Sequence, residues 1–93
     1  MATELSEAAK ELLLEASQDG SGLIVRFTVL TGTVIKTNEK AFGTENVRAL
    51  ARYESGIKQL RNLGLVEAQG FKDEVFKVTH EGYEVAEALR GQG

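Results

Sequence analysis

Along this chain the spacing of apolar residues changes period four times, and each change marks where a helix must give way to strands or the reverse. Leu5, Ala8, Ala9, Leu12, Leu13 and Ala16 recur at i, i+3, i+4 and i+7, which stacks them on one helical face. Thr3 or Ser6 can cap this first helix, acids crowd its opening turns as the dipole prefers, and Asp19-Gly20-Ser21-Gly22 ends it. Residues 23–30 then switch to period two. They are dense in β-branched and aromatic side chains, with Leu23, Val25, Phe27 and Val29 on one face of a strand. Thr31-Gly32 supplies a turn, residues 33–37 return as a shorter strand, and residues 38–43 are expected to be loop.

Helical spacing resumes near Thr44 or Asn46, either of which can cap, and runs to about Leu63. Its expected buried face is Val47, Leu50, Tyr53, Ile57 and Leu60. Gly64 should end it as a left-handed residue. Gly56, inside the helix, costs roughly 1 kcal/mol against Ala, so its physical reason should be the close approach of another backbone. Residues 65–68 and 75–78 read as a hairpin with a polar tip at 69–74. Thr79 can cap a last helix with Tyr83, Ala86 and Leu89 on one stripe and Arg90 near its C-terminus, leaving 91–93 as tail.

The fold class that follows is α+β, three helices on a small antiparallel sheet. With 93 residues, no proline, no internal repeat and no low-complexity stretch, one domain is expected over 1–93, with an ordered part of about 4–90. Absence of cysteine removes disulfides, thiolate zinc sites and covalent thiol chemistry. His80, the single histidine, is expected at the surface. No metal or other cofactor, no catalytic residue and no small-molecule substrate is therefore expected. Gly20 and Gly22 precede a strand, opposite to the strand, Gly-rich loop and helix order of phosphate-binding folds. The acidic N-terminus and the lack of a long apolar run leave a cytoplasmic setting and no membrane as the default.

From Arg48 to Leu89 the order is a long helix, Leu63-Gly64-Leu65-Val66-Glu67, a charged hairpin tip, Phe76-Lys77-Val78-Thr79 and a helix carrying Glu81-Gly82-Tyr83. This stretch, a little under half the chain, resembles the second half of bacterial winged-helix domains. The resemblance implies that residues 44–63 form a recognition helix for duplex DNA and residues 65–78 a wing. It also implies an accessory module of a larger bacterial protein. Upstream the pattern departs from that family, because strand-like residues occupy the place of the short helix that braces a recognition helix.

Charge is unevenly spread in a chain of net charge -3. Residues 21–63 hold seven Lys or Arg against three Glu, while both ends are acidic. Arg48, Arg52, Ser55, Gln59 and Asn62 recur at four, three, four and three residues and include no acid, so they form one polar helix face. Arg donates bidentately to phosphate or guanine, and Gln and Asn match adenine edges. Lys72 and Lys77 of the hairpin are candidates for phosphate contacts, although Asp73 and Glu74 beside Lys72 repel a polyanion. Phe71 in the tip is expected to fold back on the sheet, and Tyr53 and Tyr83 to be core residues whose hydroxyls reach the surface. The leading expectation is a non-catalytic DNA-binding module. Its alternative is a protein-interaction module or homodimer that uses the long helix or the strand at 23–30.

Overall fold

The computed structural model describes residues 5–18, 22–30, 32–37, 40–69 and 75–92. Its elements run α1 (Glu7–Gln18), β1 (Leu23–Val29), β2 (Gly32–Thr37), β3 (Lys40–Phe42), α2 (Val47–Asn62), β4 (Val66–Gln69), β5 (Val75–Val78) and α3 (His80–Gln92). The five strands form one antiparallel sheet in the order β3-β2-β1-β5-β4. The protein is thus α+β, but α-βββ-α-ββ-α is not the winged-helix order. Three strands stand where that family places the bracing helix, and the hairpin of β4 and β5 is part of the sheet because β5 pairs with β1.

Each helix starts at a residue able to satisfy its free N–H groups. Ser6 Oγ accepts from the Ala9 N–H, Asn46 Oδ1 from the Ala49 N–H at 2.8 Å, and Thr79 Oγ1 from the Gly82 N–H at 3.1 Å. The other proposed cap of α1, Thr3, lies outside the described residues. Helix α3 runs through Gly91 to Gln92 rather than stopping before a tail. Arg90 donates from its last turn to the Leu14 carbonyl and to Ser17 Oγ, which ties it to the end of α1.

The segment read as loop at 38–43 contains a third strand. Lys40, Ala41 and Phe42 pair with Thr37, Lys36 and Ile35. Three residues are too few to show an alternation in the sequence, and the pairing is imposed by the neighbouring strand.

Burial alternates along the strands because the helices cover one face of the sheet. Ile24, Ile35, Phe76, Val78 and Val66 point into the core, where they meet Ala9, Leu12, Leu13 and Ala16 of α1, Ile57 and Leu60 of α2, and Ala86 of α3. Fully burying each of the larger side chains contributes about 1.5–3 kcal/mol. Thr37, the buried polar residue of this face, donates its hydroxyl to the Leu23 carbonyl at 2.7 Å. Leu23, Val25 and Phe27, the apolar face noticed in the sequence, lie on the opposite side and are only half-buried.

The core face of α2 is rotated from the expected one. Ala49, Gly56, Ile57 and Leu60 are buried, Leu50 and Tyr53 are half-buried, and Val47 is 83% exposed. Small residues draw the contact toward Ala49 and Gly56 because α1 comes close there. A Cβ on Gly56 would lie 2.9 Å from Ala9 N and 3.2 Å from Ala8 C. At the other end of α2, Gly64 has φ 75°. The Gly64 N–H donates to the Arg61 carbonyl and the Leu65 N–H to the Leu60 carbonyl, a Schellman ending with Leu60 and Leu65 both buried.

The two glycines therefore fail differently when replaced. Gly64 has open space around its Cβ position, so Gly64→Val should lose about 1–3 kcal/mol to backbone strain and Gly64→Asn clearly less. Gly56→Val pushes α1 off α2 and should cost at least about 1–3 kcal/mol. Denaturant melts of the three variants check both values, and equal losses for the two Gly64 variants would remove the left-handed turn as their cause.

Tyr53 joins α2 to α1 through its hydroxyl, which donates to Glu11 Oε2 at 2.6 Å, while its ring tilts against Phe42 at 5.2 Å. That hydrogen bond, then burial and the negative charge of Glu11, push its pKa from 10.0 to about 12. The folded value is above the unfolded one, so the stabilisation is complete below pH 10 and is lost as pH rises toward 12. Melts across this window should show the protein losing more stability than Tyr53→Phe, whose curve lacks this component.

Candidate functional site

Helix α2 is held on one side by α1 and on another by the sheet, and its remaining surface faces solvent. Arg48, Arg52, Ser55 and Asn62 of the acid-free stripe are exposed there. Gln59 is not part of that open surface. It is half-buried, and its Oε1 accepts the Ser6 N–H at 2.9 Å, so it serves the beginning of α1. Lys77 is exposed on the face of the sheet opposite the helices, the side that carries Leu23 and Val25, and so does not join Arg48 and Arg52. Lys72 and Phe71 lie outside the described residues.

Lys58 and Arg61 extend the cationic surface toward the sheet and were not part of the sequence-derived stripe. The available signal was that both lie on α2 beside Ser55 and Asn62, one helical step round the cylinder. Arg26 could not be assigned from sequence at all, because it comes from β1, 22 or more residues away along the chain.

Strand β1 pairs with β2 from Ile24 to Val29 but with β5 only from Leu23 to Val25. Arg26 follows the last described β1–β5 pair and lies on the helix side of the sheet, where its Nε and Nη2 donate to Glu54 Oε1 of α2 at 2.9 and 2.7 Å. The pair ties β1 to α2 and neutralises the one acid of that helix. Between them opens a groove of about 440 Å³, lined by the buried Ile57 and Phe76 and by Ala51, Ser55, Lys58, Arg61, Arg26 and Glu54.

The first turn of α2 is electrostatically one-sided. Helices α1 and α3 place Glu7 and Glu81 in their first turns, where the dipole favours an acid, whereas α2 has none there and carries Arg48 instead. A cation at the positive end of a helix is locally unfavourable, and departures of that kind concentrate where function requires them. His80 is exposed and pairs with Glu84 at 2.9 Å. Among the described residues no cluster of His, Asp and Glu could hold a metal ion, and no helix is long and apolar enough to cross a membrane.

Both partners of the Arg26–Glu54 pair keep more than a third of their side-chain surface exposed, so solvent screens it. A double-mutant cycle with Arg26→Ala and Glu54→Ala should give a coupling of no more than about 1 kcal/mol, smaller still in high salt. A much larger, salt-insensitive coupling would show that the pair carries the fold and does not merely position the hairpin.

Comparison with protein-family models, with curated proteins and with solved structures finds no match to this chain.

Proposed function

We propose that this domain is a non-catalytic binding module that docks duplex nucleic acid on the outward face of α2. The observation that carries the reading is the exposed, acid-free stripe of Arg48, Arg52, Ser55 and Asn62 on that helix, with Arg48 in its first turn and Arg52 one turn on, in a protein of net negative charge. Residues 21–63 hold seven Lys or Arg against three Glu, a local cationic excess by which an acidic protein can present a surface to a polyanion. Ser55 and Asn62 continue the face with groups able to donate to phosphate or base edges, and Val47 adds an exposed apolar contact at the N-terminal end. This use of α2 resembles that of a recognition helix, although the strands behind it differ from a winged helix. Lys77 is not part of the contact.

A second reading is supported by the open sheet face. Leu23, Val25, Phe27, Val34 and Val75 lie together there by register, bordered by Lys36, Lys77 and Glu67. An apolar centre with both signs of charge at its rim suits a second copy of this chain stacked face to face.

Titration of a labelled random duplex at several salt concentrations separates the two. Binding through phosphates should weaken steeply with salt, and Arg48→Ala or Arg52→Ala should each lower the slope of log K against log salt by roughly 1. No binding by the wild-type protein at low salt would end the duplex reading. A molecular mass that rises with concentration, lost in Phe27→Asp, would then assign the protein to self-association.

A further inference from the structure

We infer that the groove between α2 and β1 is a separate subsite for one unpaired nucleotide, holding its base against Arg26 and its phosphate at Lys58. The inference rests on the nucleic-acid reading for the identity of the partner; its groove adjoins the surface of Arg48 and Arg52, sharing Ser55 with it, but uses neither arginine.

Three features of the groove converge on that chemistry. First, its volume of about 440 Å³ lies within the range of small-molecule sites, roughly 300–1,000 Å³, and it is lined by side chains of both α2 and the sheet. Second, Arg26 is held in one orientation by two hydrogen bonds to a single carboxylate oxygen, yet 38% of its side chain remains exposed. A guanidinium fixed in this way offers its flat face to a planar ring at little entropic cost, and Ile57 and Phe76 supply the apolar base beneath. Third, Ser55 and Lys58 stand three residues apart on the α2 rim, both exposed and neither engaged with another described residue. They supply one hydroxyl donor and one ammonium for an anionic oxygen.

Glu54 refines the choice of ring. It engages Arg26 through Oε1, which leaves Oε2 to accept from an amino group on the base edge. A base with an exocyclic amine meets that acceptor, whereas uracil presents a carbonyl there and is repelled. The neutralised Arg26–Glu54 pair and the Lys58 charge together match a nucleotide whose base is neutral and hydrogen-bonding and whose phosphate is negatively charged.

The test is a two-dimensional NMR titration of the full chain with adenosine monophosphate, and separately with uridine monophosphate, adenosine and inorganic phosphate. Saturable shifts of the Arg26 Nε–H and of the Ser55, Ile57 and Lys58 amides with adenosine monophosphate, and weaker ones with the other three probes, are expected. Lys58→Ala should weaken adenosine monophosphate by roughly three- to tenfold and leave adenosine unchanged. Arg48→Ala with Arg52→Ala should lose duplex binding and keep the nucleotide shifts, so the two readings fail separately. Absence of groove shifts at millimolar adenosine monophosphate, or shifts confined to residues 47–52, would overturn the subsite and leave the duplex reading standing.

Discussion

The approach of α1 to α2 at Gly56 is the contact on which the rest of the structure depends. With no side chain at that position, the backbone of Ala8 and Ala9 comes within van der Waals distance of α2, and both helices then lie close enough to share the sheet below. Leu12, Leu13, Ile57 and Leu60 are buried as a consequence. Two polar links hold the same pair in register at either end of the contact, Gln59 to Ser6 and Tyr53 to Glu11. Arg48 and Arg52 lie at the edge of that contact and are exposed to solvent.

A second junction fixes where α2 hands the chain to the sheet. Thr79 donates its hydroxyl to the Gly64 carbonyl and its N–H to the Leu65 carbonyl, while also capping α3. One residue thus binds the end of α2, the start of the β4–β5 hairpin and the beginning of α3. Its several bonds help a small core without disulfides or proline to hold α2 and α3 in fixed relation to the sheet.

Much of the element order was legible in the sequence because it is local. Periodicity placed all three helices, and capping chemistry named Ser6, Asn46 and Thr79 as candidates that the structure uses. Gly56 and Gly64 could be interpreted from their positions alone, since a glycine inside a helix needs a close neighbour and one just beyond a helix needs a left-handed turn. Strand β3 was missed because three residues carry no alternation, and the end of α3 because Gly91 has low helix propensity but gains from the helix it extends.

The residues of the candidate surface divide in the same way. Sequence by itself determined that Arg48, Arg52, Ser55 and Asn62 share one helical face, because helix geometry fixes which positions align. Only the tertiary structure decided that Gln59, spaced identically, belongs to the contact with α1, that Lys77 points from the other side of the sheet, and that Arg26 joins α2 from a distant strand. Those outcomes depend on which flank each neighbouring element covers. Helical and strand periods describe a single element in isolation, and they carry no information about the element packed against it.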